Sequence, residues 1–192
     1  MIGKRAKILS PDHIGDLLVF AHQTRNPIRN EALVLLSVKA GLRAGEIAKL
    51  TWPMVAEPTG QVGWSIELQD RIAKKSSGRV IPIHPELRTA LVKLRQQRHD
   101  VSGPLIRSER GGPMTPLSIV VWFNRAFKNI GLHGCSSHSG RRTFVTRAAR
   151  LVHKAGGSLR DVQLLAGHRS IQTTQRYIDG DSDAQRRLVS LI

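Results

Sequence analysis

The chain has 192 residues, enough for one large domain or two small ones with a substantial core. Thirty lysines and arginines against 14 acidic residues give a formal net charge of +16, which indicates a polyanionic partner such as DNA or RNA. The single cysteine, Cys135, excludes an intramolecular disulfide, and the longest apolar stretch, 32–40, is too short to span a bilayer. The basic N-terminus lacks the apolar run of a secretory signal, so we expect a cytosolic protein with no membrane-embedded part.

The first quarter of the sequence predicts helices. Ser10 is a suitable N-cap, and Pro11 is a suitable first helical residue. Asn26-Pro27 and Gly41 interrupt the helical pattern. Three helices are therefore predicted, over residues 10–23, 28–40 and 43–49.

The middle of the sequence predicts a β-hairpin. Apolar Trp64, Ile66 and Leu68 alternate with polar residues, a period of two that is typical of a strand, and 80–83 is a second β-prone run. The basic, turn-rich segment 74–78 between them is the expected tip. A further strand is predicted near 51–55.

Helices are predicted again from Pro85 onward. Proline at 85 and Thr115-Pro116 each open a helix, and a third is predicted over 139–153. Ser158 and Ser170 are suitable caps for two more, the last of which is expected to carry Tyr177. The apolar residues expected to face the core from the first three helices are Leu87, Ala90, Leu91, Leu94, then Phe123, Ala126, Phe127, Ile130, then Phe144, Ala148, Leu151, Val152. The fold class is thus mainly α with a small antiparallel β-sheet (α+β).

Two segments in the first half of the chain contain residues suited to phosphate chemistry. Arg43 is followed three residues later by Glu46, which can brace it, although such a pair is also common on a solvated helix surface. Lys74 and Lys75 at the hairpin tip can reach into a groove or protonate a leaving oxygen, or can simply keep the turn soluble.

Two segments in the second half add a histidine–arginine pair and a tyrosine. His138 and Arg141 share a face at a helix start, where a guanidinium fork matches phosphate oxygens. Tyr177 is the only tyrosine and follows His168 by nine residues. Each of these residues alone also has an ordinary structural explanation, such as a helix cap or a half-buried ring.

In chain order, these residues resemble the tyrosine recombinase family, which includes phage integrases and the bacterial chromosome-dimer resolvases. The resemblance is carried by Arg43, a hairpin lysine, a His-x-x-Arg pair, and a Leu-x-Gly-His…Thr-Thr…Tyr block that ends at Tyr177. It covers nearly the whole chain from about Ser10. It implies the tyrosine recombinase/integrase catalytic-domain fold over 1–192 as a single catalytic domain, without the N-terminal core-binding domain usual in the family.

The resemblance also implies a role for each residue. Arg43 and Arg141 would hold the scissile phosphate and stabilise charge on its oxygens, and Tyr177 would attack it to give a 3′-phosphotyrosyl intermediate. Lys74, placed eight residues before Pro82 as in the family's hairpin, would protonate the leaving 5′-hydroxyl.

The remaining implied roles are supporting ones. His138 and His168 would hydrogen-bond the phosphate and assist proton transfer, and Glu46 would support the arginines. Gly140 and Arg142 depart from the leucine and histidine common in the family, and neither is expected to contact the phosphate.

The implied function is site-specific DNA recombination without ATP, metal or other cofactor. The expected partners are double-stranded DNA, further copies of the chain in a tetramer on paired sites, and accessory DNA-binding proteins. We expect a location in the cytoplasm, on the nucleoid. Three alternatives remain open at this point: relaxation of DNA as by a type IB topoisomerase, a non-catalytic DNA-binding regulator derived from an integrase, and RNA binding of the ribosomal kind.

Overall fold

The computed structural model of the protein describes residues 6–70, 72, 78–97, 102–177, 186, 189–190 and 192. Two antiparallel strands and a set of short helices make up this part of the chain. Their bounds are α1 Pro11–His22, α2 Pro27–Val38, α3 Ala44–Lys49, β1 Ser65–Leu68, β2 Arg79–Pro82, α4 Pro85–Gln96, α5 Pro116–Asn129, α6 Ser139–Leu151, α7 Leu159–Ala166 and α8 Ile171–Gln175. The predicted α+β class is confirmed.

Helix α2 lies at the centre of the main core, as its apolar composition predicts. Residues 32–38 are all buried, and α2 packs against α1, α4 and α6. A helix that is apolar on all sides is stable only when other elements surround it. The glycine at its C-terminal end, Gly41, adopts a left-handed φ of 64° and lies against the ring of Phe144 on α6.

The β-hairpin is present, and its alternation is only partly as predicted. Ser65 lies opposite Pro82 and Leu68 opposite Arg79, and this register buries Ile66 and Leu68. Trp64, by contrast, is 67% exposed, and the guanidinium of Arg88 covers its ring at 4.1 Å from the centroid. Trp64 precedes the paired residues, so its side chain lies outside the buried face.

The strand predicted near 51–55 is wrong. Trp52–Met54 form a 3-10 turn, and Thr51 makes only an isolated bridge with Pro104. Pro53 has no N–H to donate to a strand ladder, whereas its fixed φ suits a helical turn.

The face that α6 buries agrees with the prediction in part, since Val152 is buried and Phe144 and Ala148 pack against the small apolar cluster of α6 and α7. The predicted residue Leu151 is 53% exposed, while the polar residues Ser139, Thr143 and Thr146 are buried. Gly140 permits this orientation, because a Cβ there would clash with Ser37 Oγ of α2. The close approach of the two helices turns the glycine face of α6, not its leucine, toward the main core.

The last helices form a second, smaller apolar cluster. Val145 and Ala149 of α6 pack with Val152 and with Val162 and Ala166 of α7, and the ring of Tyr177 lies against this cluster. Tyr177 was expected within the last helix, but α8 ends at Gln175, two residues earlier. Across the part of the chain that the structure describes, no helix combines the length and apolar character needed to cross a membrane.

Candidate active site

An open cavity of about 520 Å³ contains the candidate site. It lies where the start of α3, the start of α6 and the end of α8 meet. The predicted residues on its wall are Arg43, His138, Arg141, His168 and Tyr177. These residues are separated by up to 134 positions in the sequence, so only the fold brings them together.

Glu46 is the anionic centre of the site and holds two arginines. Its carboxylate accepts from Arg43 Nη1 at 2.8 Å, and both of its oxygens accept from Arg79 at 3.2 Å. Burial alone would raise the pKa of Glu46, but the hydrogen bonds and charges of Arg79 and Arg43 outweigh it, and the pKa lies below its ordinary value. Glu46 is therefore ionised, and it holds the Arg43 side chain toward the cavity.

Arg141, on the cavity wall, connects two segments that are far apart in the sequence. Its Nη1 donates to the carbonyl of Gly41 at 2.7 Å, and its Nη2 donates to the carbonyl of Ala166 at 2.6 Å. Burial, followed by the positive charge of Arg43, lowers the pKa of Arg141 to about 10. The guanidinium stays charged at neutral pH, and Arg141 lines the cavity although it is almost fully buried.

Backbone geometry at Gly167 positions His168. Gly167 ends α7 with a left-handed φ of 61°, and a Cβ there would lie 2.8 Å from Nη1 of Arg79. The side-chain amide of Gln163 donates to the backbone carbonyl of His168 at 2.9 Å. The backbone N–H of His168 donates in turn to the backbone carbonyl of Gln163 at 3.1 Å. Glycine at 167 is thus required both by the turn and by the packed guanidinium.

The His168 ring is held between Thr174 and Tyr177. Its Nδ1 lies 2.9 Å from the buried Thr174 hydroxyl, and the Tyr177 ring stacks on it with centroids 5.4 Å apart. Burial, then the charge of Arg141, lowers the pKa of His168 to about 4. The ring is consequently neutral at physiological pH.

His138 occupies the rim of the cavity. It is exposed, and as the N-cap residue of α6 it accepts the Arg142 N–H through its backbone carbonyl at 2.9 Å. Its imidazole is therefore the more accessible of the two histidines. The predicted Lys74, and Lys75 beside it, lie outside the described residues.

Sequence reasoning missed Arg79. Its side chain is 5% exposed and also donates from Nε to the Leu165 carbonyl at 2.8 Å, so it connects β2 to both α3 and α7. The sequence contained one signal, an arginine beside a β-prone run. A charged residue that is buried in a strand requires a partner. Its partner Glu46 is 33 positions away, and no local pattern connects them.

Within the described ranges, no group of three or more His, Cys, Asp or Glu side chains is arranged to hold a metal ion. Positive charge at this site comes from guanidinium groups.

The sequence of this chain matches the profile of a known protein family. The profile of the phage integrase family matches residues 7–183. The chain belongs to the phage integrase family. The predicted family resemblance is thereby confirmed.

Curated members of this family include relatives of moderate identity. Tyrosine recombinase XerC of Brucella suis biovar 1 (strain 1330) is 30% identical over 158 residues, which cover 80% of this chain and 47% of the relative. Tyrosine recombinase XerC of Shewanella amazonensis (strain ATCC BAA-1098 / SB2B) is 28% identical over 182 residues, covering 91% of this chain and 57% of the relative. This phage integrase family member thus spans about half the length of the curated relatives it matches.

Solved structures of integrases and recombinases share the fold. The crystal structure of XerA recombinase aligns with a TM-score of 0.74 at 23% identity, covering 100% of this chain and 65% of that one. The Tn1549 transposon integrase in complex with a circular intermediate DNA gives 0.74 at 21% identity, covering 100% and 67%. The λ integrase tetramer bound to a Holliday junction gives 0.69 at 20% identity, covering 90% and 48%. The predicted tyrosine recombinase/integrase catalytic-domain fold is confirmed.

Proposed function

We propose that this chain is the catalytic unit of a site-specific DNA recombinase that breaks and rejoins strands through Tyr177. The observation that carries the proposal is the meeting, in one cavity, of the Tyr177 ring, two arginines and two histidines. Residues 1–192 would act as one catalytic domain. XerC recombinases are relatives of this chain, and the integrases that share its fold were solved on DNA, which supports the same assignment.

In the proposed reaction, Arg43 and Arg141 hold the scissile phosphate. Both are anchored, Arg43 by Glu46 and Arg141 by the carbonyls of Gly41 and Ala166. Anchored donors need little reorganisation when charge develops on the phosphate oxygens. Because Glu46 also binds Arg79, its single charge is shared and leaves net positive charge at the cavity wall.

Tyr177 then supplies the nucleophile. Its phenol oxygen bonds to phosphorus while the bond from phosphorus to the 5′-oxygen breaks, which gives a 3′-phosphotyrosine and a 5′-hydroxyl. His138 is the candidate acceptor of the phenol proton, since its imidazole is exposed at the rim. We assign protonation of the 5′-oxygen to Lys74 on its place in the sequence.

Neutral His168 has a different task in this scheme. With the Thr174 hydroxyl donating to Nδ1, the ring proton is on Nε2, which then donates to a phosphate oxygen. Stacking on His168 also restricts the Tyr177 ring, which lowers the entropy lost when the nucleophile is aligned.

The proposal extends to the assembly that would act on DNA. The λ integrase structure is a tetramer on a Holliday junction, which supports assembly of several copies on paired DNA sites. The net charge of +16 favours a polyanionic partner, and the DNA-bound integrase structures support double-stranded DNA as that partner. We further propose accessory DNA-binding proteins and a place on the nucleoid, in line with the family.

The deciding experiment is covalent trapping on a nicked duplex. DNA flanking the chain's own gene supplies the duplex, and a nick just beyond the cleavage position lets the short product diffuse away and traps the enzyme. The reaction contains EDTA and no ATP. We expect a slow-migrating, protease-sensitive adduct on a denaturing gel with the wild-type chain and none with Tyr177→Phe.

Two properties of the chain sharpen this test. Tyr177 is its one tyrosine, so any phosphotyrosine adduct must form there. Tyr177→Phe keeps the ring that stacks on His168 and removes only the hydroxyl, so its binding to the same duplex should match wild type. An adduct in Tyr177→Phe would remove the assigned nucleophile, and equal binding without any wild-type adduct would favour a DNA-binding regulator.

A further inference from the structure

Two arginines on the cavity wall have no task in the scheme above. Arg142 and Arg176 both line the cavity. Each is the chain neighbour of a candidate catalytic residue, Arg142 of Arg141 and Arg176 of Tyr177. They come from different sides, Arg142 from α6 and Arg176 from the end of α8.

Their guanidinium groups contrast with those of Arg43 and Arg141. The guanidinium of Arg43 is hydrogen-bonded to Glu46, and that of Arg141 is hydrogen-bonded to two backbone carbonyls. Neither the Arg142 nor the Arg176 side chain has a hydrogen-bond or ion-pair partner among the described residues, and Nε of Arg142 is enclosed without an acceptor. Arg142 is half-buried, and a partly buried guanidinium beside other cations is costly unless an anion joins it, whereas Arg176 is exposed on the cavity wall.

The cavity presents more cations than the scissile phosphate uses. Arg142 and Arg176 line it together with Arg43 and Arg141. Successive phosphates of a DNA strand are close neighbours, about 3.4 Å apart along the helix axis. A strand placed with one phosphate on Arg43 and Arg141 therefore brings the next phosphate within the reach of cations on the same wall.

We propose that Arg142 and Arg176 form a second phosphate site, which binds the DNA backbone phosphate adjacent to the scissile one. This inference rests on the proposed strand cleavage for the identity of the first phosphate. The forked donors of a guanidinium match two oxygens of one phosphate, and a charge of +1 on each arginine matches the anionic backbone. The two arginines are positioning residues, since they contact a phosphate that does not react.

A contact with a non-reacting phosphate is made equally before and during the reaction. Its loss should weaken binding while leaving the cleavage rate at saturating DNA nearly unchanged. For Arg142→Gln and for Arg176→Gln we expect about a tenfold rise in the DNA concentration that gives half-maximal cleavage. Each should also reduce the slope of log affinity against log salt by about one.

The test compares these variants on the nicked duplex and on a plain duplex of about 30 base pairs that supports binding alone. Arg110→Gln is the matched control, because it removes one charge from an exposed arginine that does not line the cavity. Arg142→Lys should keep the salt slope. A single neutral methylphosphonate next to the scissile position should weaken wild-type binding and cause no further loss in the Arg142→Gln, Arg176→Gln double variant.

The outcomes separate the two proposals. Reduced salt slopes without any wild-type adduct would support phosphate binding by Arg142 and Arg176 and reject strand cleavage. An adduct together with slopes and half-saturating concentrations equal to those of Arg110→Gln would overturn the second phosphate site alone. Additive losses from the methylphosphonate and the double variant would overturn it as well, because independent effects mean no shared contact.

Discussion

His168 makes the stability of the folded protein depend on pH. Burial and the neighbouring arginines lower the pKa of this imidazole to about 4, from an ordinary 6.5 in the unfolded chain. Between these two values the unfolded chain binds a proton that the folded chain does not, so the free energy of unfolding decreases as the pH falls from 6.5 to about 4. The shift corresponds to a loss on the order of 3 kcal/mol.

A comparison with His168→Gln measures this contribution. We expect urea unfolding of the wild-type chain to lose stability more steeply than the variant between pH 6.5 and 4, with parallel curves above pH 7. Carboxylates such as Glu46 titrate in both proteins, so the difference isolates residue 168. Identical pH slopes would mean that the imidazole is not held neutral.

At the scale of elements, the crossing of α2 and α6 determines which residues of α6 face the site. Gly140 lies against Ser37, whose buried hydroxyl has no hydrogen-bond partner among the described residues. An added Cβ would lie 3.0 Å from Ser37 Cβ and 3.1 Å from Val38 Cγ1, so the two helices would have to separate. Since Arg141 follows directly, such a separation would also move its guanidinium.

Gly140→Ala should therefore destabilise the fold by about 1–3 kcal/mol despite the better helix propensity of alanine. Ser37→Ala removes an unpaired hydroxyl and should cost little by itself. In the double variant the loss should be smaller than in Gly140→Ala alone. Denaturant midpoints of the four proteins test this, and strict additivity would contradict direct contact.

At the scale of the whole molecule, the site joins two apolar clusters of different size. Arg43 and Glu46 belong to elements of the large core, whereas His168 and Tyr177 depend on the small cluster of α6 and α7. Hydrogen bonds from Arg79 and Arg141 to the carbonyls of residues 165 and 166 connect the two. A small cluster buries little apolar area, so we expect it to open before the large core does.

Amide hydrogen exchange measures this order. Val162→Ala should raise the exchange rates of α7 and α8 while those of α2 stay close to wild type, and it should slow adduct formation more than it weakens DNA binding. Leu33→Ala, a change in the fully buried face of α2, is the matched control and should affect all helices together. Uniform acceleration by Val162→Ala would indicate that the protein opens as a single unit.

The helices, the hairpin and the order of the candidate residues can all be predicted from the amino-acid sequence. Capping residues and apolar periodicity act over a few positions, so Ser10-Pro11 and the alternation at 66–68 could be interpreted locally. The spacing of His138, Arg141, Gly167-His168 and Tyr177 was enough for the family. These features could be predicted because they depend on interactions between residues that are only a few positions apart in the sequence.

Which charges are buried and paired depends on the tertiary fold. The bond of Arg79 to Glu46, and those of Arg141 to the carbonyls of Gly41 and Ala166, join residues 25 to 100 positions apart. The close contact of Gly140 with Ser37 likewise accompanies the burial of polar Ser139 and Thr143 on α6, which no apolar pattern predicts. Such contacts depend on how complete elements pack, because a buried polar group is stable only beside a partner that the fold delivers.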